Sequence, residues 1–375
     1  MAKGFNYTKQ ARRFSAKYPM LSFTTIQINF WVWANIIFVL IVYFSMLAIA
    51  QYLTILLKFE IWEILTISII LGAIYGFFQG TADYYVENKL IEKGNLGRYL
   101  VFKLTFSTLF SFLFFGVYYV ILTNTWIPLS GLNKKLVLDQ GTLKYFFIVY
   151  LIYYFIMNVL LIFINQVNKK YGPGVLLPLL LGKYSTPVEE ERIFLFMDLK
   201  SSTSLAESMG HVKYSNFIRD AFLDINHMLG PYYAEVYQYV GDEIVISWPM
   251  EHSIADHAAI EFFFACENKF QTRTDHYISK YGSVPSFKAG LHSGLVTAVE
   301  IGNIKREIAY HGDILNTAAR IQSLCNHYGK KLLASAYFVN GLSQTSSFQI
   351  EHLGMVNLKG KSQDTEIVGI DLISN

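Results

Sequence analysis

The stretch Phe194-Leu195-Phe196-Met197-Asp198-Leu199-Lys200-Ser201-Ser202-Thr203 decides the reading of the second half of the chain. An apolar run, beginning at Arg192, ends on a carboxylate and passes into small hydroxyl residues that start helices well. Tyr239-Val240-Gly241-Asp242-Glu243, 44 positions further from Asp198 to Asp242, places a second carboxylate where two alternating runs, Ala234 to Val240 and Glu243 to Trp248, meet. That pattern predicts a strand followed later by a hairpin. A single Asp at a strand end is usually a turn residue. Two of them converging from neighbouring strands, the second preceded by Gly, make a hard-oxygen site suited to two Mg²⁺ or Mn²⁺ ions.

Working outward, Ser204 to Leu229 carries helical periodicity, a further helix is expected near His257 to Phe270 and a strand at Phe287 to Leu295. The order strand, helices, hairpin, helix, strand is ferredoxin-like. Downstream, Gly312-Asp313-Ile314-Leu315-Asn316-Thr317-Ala318-Ala319-Arg320 puts Asn316 and Arg320 at i and i+4 on one helix face. A guanidinium fork matches phosphoryl oxygens, so acid for metal and Asn with Arg for phosphate point to nucleotide chemistry.

From about Glu190 to the C-terminus the chain resembles the class III nucleotidyl cyclases, with Lys288-Ala289-Gly290-Leu291-His292-Ser293-Gly294 and Leu358-Lys359-Gly360-Lys361 in that family's order. The resemblance implies an α/β catalytic domain, an α+β sandwich with a ferredoxin-like, palm-like sheet, that converts a nucleoside triphosphate to its 3′,5′-cyclic monophosphate. It implies that Asp198, Asp242 and the Leu199 carbonyl hold two divalent cations, that Ser201, Ser202 and Thr203 form a phosphate loop, that Asn316 orients the ribose, and that Arg320 neutralises the α-phosphate. Lys359 would contact the β and γ phosphates. Because the family divides these sets between two subunits, a homodimer with interfacial sites is implied. His292 and His311 are expected to be structural. Gly is usual in the family where Ser201 stands. The base pocket departs further: Gln238, four before Asp242, replaces the Lys of adenylate or the Glu of guanylate cyclases, and Ala309, seven before Asn316, replaces Asp, Thr or Cys. ATP is favoured by family frequency, with GTP and pyrimidine triphosphates open. A catalytically silent nucleotide-binding or dimerisation module is the alternative of another class.

The first half is of another kind. The chain is 53% hydrophobic and 16% charged, and the apolar excess gathers in four stretches long enough to cross a bilayer: Ile28 to Leu53, Ile61 to Phe78, Tyr99 to Leu122 and Tyr145 to Ile164. Lys3, Lys9, Arg12, Arg13 and Lys17 precede the first stretch, and no Asp or Glu occurs before Glu60. The basic excess places the N-terminus, and after four spans the catalytic half, in the cytoplasm; Lys134 and Lys135 in the outer loop weigh against this. The first stretch is too long, and its basic tail too extended, for a cleaved signal peptide. The expected division is a basic tail at 1–25, a four-helix transmembrane domain at 26–168, a coupling linker at 169–190 and the catalytic domain at 191–375. In the linker, Val175 to Leu181 is too short and too broken by Pro178 to span again. Lys103 is expected to snorkel to the interface, and Glu189 to Glu191 to be a solvated lead into the first strand.

Only Cys266 and Cys325 are present and all nine His residues lie at or beyond His211, so the first half has no His or Cys for haem or a soft metal, and no disulfide framework is implied. A net charge of +3 with its excess beside the membrane suits anionic headgroups, and no nucleic-acid motif is present.

Overall fold

The computed structural model describes residues 14, 18–52, 54, 61–91, 96–121, 140–171, 181–250, 255–304, 306–342, 348–359, 361 and 364–373. The basic residues of the N-terminal tail, Lys134, Lys135 and positions 175–180 of the coupling segment lie outside them. Two compact units result, one at Tyr18–Pro173 and one built on Gly174–Asn375.

The first unit holds α1 (Pro19–Tyr52), α2 (Ile61–Ile91), α3 (Leu96–Ile121) and α4 (Gln140–Tyr171). All four are long and apolar enough to span a membrane. Helices α1 and α2 approach closely: a Cβ on Gly76 would stand 2.6 Å from the Cα of Ile28, so only Gly fits there. The interior is aromatic, with Trp31, Tyr75, Tyr150 and Tyr154 almost wholly buried. Some of its polar groups pair within the bundle: Tyr118 and Tyr154 hydroxyls donate to Asn35 Oδ1 at 2.5 and 2.8 Å.

Helix α2 runs well past the expected stop at Phe78, because its next turn carries polar residues that the bundle accommodates. Gln79 bonds to Ser107 of α3. Lys103 does not snorkel: it is 1% exposed, and its Nζ lies 2.6 Å from Asp83 Oδ2 on α2. A fixed carboxylate within the bundle replaces the water that the lysine would otherwise seek.

The second unit is an eight-stranded sheet. In chain order it runs β1 (Val188–Leu199), α5 (Ser202–Met209), α6 (His211–Leu229), β2 (Glu235–Val240), β3 (Glu243–Pro249), α7 (Ala255–Thr272), α8 (Thr274–Tyr281), β4 (Phe287–Ile301), β5 (Glu307–His311), α9 (Asp313–Ser323), α10 (Cys325–Tyr328), β6 (Leu332–Ser335), α11 (Ala336–Asn340), β7 (Phe348–Val356) and β8 (Thr365–Leu372). The sheet order is β2-β3-β1-β4-β6-β8-β7, with β5 paired to β4. Its first four strands give the ferredoxin-like arrangement expected from the sequence. The helical stretch after Thr203 is broken in two at Gly210, whose φ of 73° leaves the helical region.

Alternation along β1 sorts its side chains. Ile193, Leu195, Met197 and Leu199 join the main core with Phe217, Ile225, Phe262, Phe263 and Tyr277 from α6, α7 and α8. Phe194 and Phe196 turn to the other face, where Ile314 and Ala318 of α9 cover them. Helix α9 lies so near β4 that a Cβ on Gly290 would collide with the backbone of Gln322 and Ala318. Glu189 and Glu191 are exposed as expected, but Glu190 Oε2 pairs with the buried Arg192 at 3.1 Å.

Candidate active site

Three adjacent strands carry a row of charges. Asp198 on β1 stands in register with Glu243 on β3 and with Lys288 on β4, so the three side chains share one face. Lys288 Nζ lies 3.1 Å from Asp198 Oδ2, and Gln322 Nε2 of α9 donates to the same oxygen at 3.1 Å. Asp242 occupies the two-residue turn between β2 and β3, next to Glu243. The Glu243 carboxyl is pushed above its ordinary range by burial and then by the charges of Asp198 and Asp242. The Tyr214 phenol on α6 is raised by burial and by Asp242, against a hydrogen bond from Ser202, with Asp198 adding to the rise. Both aspartates therefore neighbour Glu243 at one end of the sheet.

Glu243, Lys288, Gln322 and Tyr214 were not singled out from the sequence. Lys288 stood inside a recognised motif, but its nearness to Asp198 depends on strand register. Gln322, two positions beyond Arg320, needed the docking of α9.

The donor set is of the kind that holds Mg²⁺ or Mn²⁺: two carboxylates and the Leu199 carbonyl at the end of β1, all oxygen. Such ions are commonly held by one or two carboxylates together with substrate phosphates. Among the described residues no group of three or more His, Cys, Asp or Glu side chains is placed to hold a metal ion.

After β1 the chain turns through Lys200, whose N–H donates to the Ser286 carbonyl at 2.8 Å. Ser201 then takes the left-handed conformation, φ 57° and ψ 34°, at the start of α5. That is a conformation glycine adopts without strain, which explains why the usual Gly at this point is a physical preference. Ser202 and Thr203 open the helix, so first-turn amides lie beside Asp198 in the chain.

On α9, Asn316 is exposed and Arg320 half-buried, while Gln322 is buried against the sheet. At 100° per residue, Asn316 and Arg320 lie on the opposite side of the helix from Gln322. Lys361, on the β7–β8 connection, pairs with Asp313 at the start of α9, Nζ to Oδ2 2.9 Å. Lys359 on the same connection is exposed. His292 is buried, its Nδ1 2.6 Å from Ser335 Oγ, and burial together with the Lys361 charge pulls it down to about 4 despite Asp313. It is packed as a neutral residue.

Gln238 is exposed on β2 and registers with Val245, which is itself opposite Phe196. The strand is irregular between Val236 and Gln238. On β5 that same face is presented by Tyr310, whose ring lies 5.1 Å from Tyr237, whereas Ala309 alternates to the reverse side and is buried. The two positions named for the base are thus not presented on one face of the sheet.

The second unit is thus a ferredoxin-like sheet with Asp198 and Asp242 at its strand ends and Asn316 and Arg320 on one of its helices. Residues 186–368 match the adenylate and guanylate cyclase catalytic domain, and this part of the chain is a member of that family. Adenylate cyclase 2 of Rhizobium meliloti (strain 1021) is 36% identical over 210 residues, 56% of this chain and 58% of that protein. The adenylate cyclase of Anabaena cylindrica is 29% identical over 178 residues, 46% of this chain and 35% of that protein. The chain therefore spans less than two thirds of the length of these relatives. A bacterial light-regulated adenylyl cyclase structure aligns with a TM-score of 0.48 and 21% identity, covering 57% of this chain and 64% of that one.

Proposed function

We propose that the chain is a membrane-bound nucleotidyl cyclase that converts a nucleoside triphosphate, ATP in preference, to the 3′,5′-cyclic monophosphate and pyrophosphate for intracellular signalling. The observation that carries this reading is the convergence of Asp198 and Asp242 on one end of the sheet, with Asn316 and Arg320 on a helix docked to the same sheet. The two named relatives, both adenylate cyclases, support the choice of ATP.

In the reaction the ribose 3′ oxygen attacks the α-phosphorus, the O–P bond to pyrophosphate breaks, and the hydroxyl proton is lost. Two Mg²⁺ or Mn²⁺ ions, held by Asp198, Asp242 and the Leu199 carbonyl, would supply charge neutralisation and an acidified hydroxyl. Asn316 orients the ribose, and the Arg320 guanidinium meets the charge growing on the non-bridging α-phosphate oxygens. Amides at Ser201 to Thr203 cradle the triphosphate, with Lys359 at its far end. Gln238 is the side-chain handle on the base: an amide can donate to a ring nitrogen and accept from the adenine amino group. Ala309, buried on the reverse side of the sheet, adds no side-chain partner.

A homodimer supplies the complete site. In each chain Gln322 faces the Asp198 strand while Asn316 and Arg320 face away from it, so a second copy is needed to bring the phosphate-binding helix to the carboxylates. The four apolar helices anchor this dimer in the cell membrane, with the catalytic half on the cytoplasmic side, where nucleoside triphosphates are.

The test is to incubate the membrane protein with each of ATP, GTP, CTP and UTP and Mn²⁺, and to identify any cyclic product by mass. Cyclic AMP as the main product supports the reading. No product from any of the four favours a silent nucleotide-binding module.

A further inference from the structure

We propose that Lys288 is a built-in competitor for the divalent cation at Asp198, so that the cation binds only as the lysine ammonium gives up the carboxylate. The inference rests on the reading of Asp198 as a metal ligand and adds a control on that site.

The competitor is placed by the fold. Lys288 is locked opposite Asp198 by the β1–β4 register, and its Nζ sits 3.1 Å from Oδ2. Both side chains are largely enclosed, 17% and 25% exposed, so solvent screens the pair less than it would on an open surface. Gln322 adds a second donor to the same oxygen. Oδ2 is thus served twice from within the chain, and a dication seeking it meets a like charge already there.

The other side of the row explains why the arrangement can yield. Asp242 precedes Glu243, which stands in register with Asp198, so negative charge gathers at this end of the sheet. Lys288 answers part of that negative charge when no metal is bound. A dication answers more of it, so exchange is favourable once the cation concentration is sufficient. The lysine sets that concentration.

The experiment titrates Mn²⁺ into the full-length protein in detergent, without nucleotide, and reads bound ion from the loss of the free Mn²⁺ paramagnetic resonance signal. Lys288→Met should bind Mn²⁺ about tenfold or more tightly than wild type, since one like charge near the ion has gone. Lys288→Arg, which keeps the charge, should not gain affinity, and Asp198→Asn should lose it. Thermal unfolding of each variant checks that it is folded, and Lys288→Gln replaces the Met variant if that one is not. If neither neutral variant tightens binding while Asp198→Asn weakens it, the competition is refuted and the metal assignment stands. If Asp198→Asn binds Mn²⁺ as wild type does, Asp198 is not a metal ligand and the inference falls with that reading.

Discussion

Gln322 Nε2 donates a 3.1 Å hydrogen bond to Asp198 Oδ2, joining residues 124 positions apart. The bond acts with the packing of Ile314 and Ala318, which holds the same face of α9 on the sheet. With Gln322 turned in, the helix period turns Asn316 and Arg320 outward. One contact thus joins the Asp198 strand to the helix that carries Asn316 and Arg320.

Replacing Asp198 or Asp242 by Ala should abolish cyclic nucleotide formation while the domain stays folded. Loss of one anchoring carboxylate from a two-metal site lowers the rate by about 10³ or more. Product formation with saturating Mn²⁺, beside unchanged circular dichroism, checks this; near-normal turnover in either variant sinks the metal assignment.

Mixing Asp198→Ala chains with Arg320→Ala chains should restore activity that neither has alone. Each heterodimer has one interface site with intact carboxylates from one copy and intact Arg from the other. Random pairing makes half the dimers mixed, so roughly a quarter of wild-type activity returns. Co-assembled chains that remain silent would rule out a shared site.

Gln238→Glu keeps the size of the side chain and removes its donor, so it should weaken use of ATP and favour GTP, which presents N–H groups. One good base hydrogen bond is worth about 1 to 3 kcal/mol, on the order of ten- to hundredfold in relative efficiency. Because Ala309 adds no side-chain partner, the switch should be incomplete. The ATP to GTP ratio of kcat/KM in the two proteins decides it, and an unchanged ratio shows that Gln238 does not meet the base.

Lys103→Met should destabilise the helical unit by about 3–5 kcal/mol, since it leaves Asp83 charged in an apolar bundle. The double variant Asp83→Asn with Lys103→Met should recover most of that loss. Unfolding in detergent measures both; a lysine that merely snorkelled would tolerate the single change.

Stability of the catalytic half should fall on acidification through His292. Its folded value of about 4 lies below the ordinary 6.5, so between these the unfolded chain binds the proton more readily. The contribution is complete above about pH 6.5 and is lost progressively toward pH 4. His292→Gln should flatten the pH dependence of the unfolding midpoint in that window. A slope equal to wild type would show that other groups carry it.

Local pattern was enough for part of the elements. Four apolar runs, the alternation about Gly241-Asp242 and the i, i+4 placement of Asn316 and Arg320 are properties of short stretches, and they predicted the four long helices, the hairpin and the polar helix face. The sequence alone also named Asp198 and Asp242, because a carboxylate at the end of an apolar strand is visible without knowing its neighbours. It misjudged Lys103, whose partner Asp83 comes from another helix, and it missed Lys288, Gln322, Glu243 and Tyr214 as neighbours of the acidic pair. Those relationships depend on register and docking: moving a strand by one residue turns every side chain to the other face, and rotating α9 by two residues exchanges Gln322 for Arg320. The tertiary structure decided what surrounds each charge, because the energy of a charge is set by its nearest partners, which long-range packing supplies.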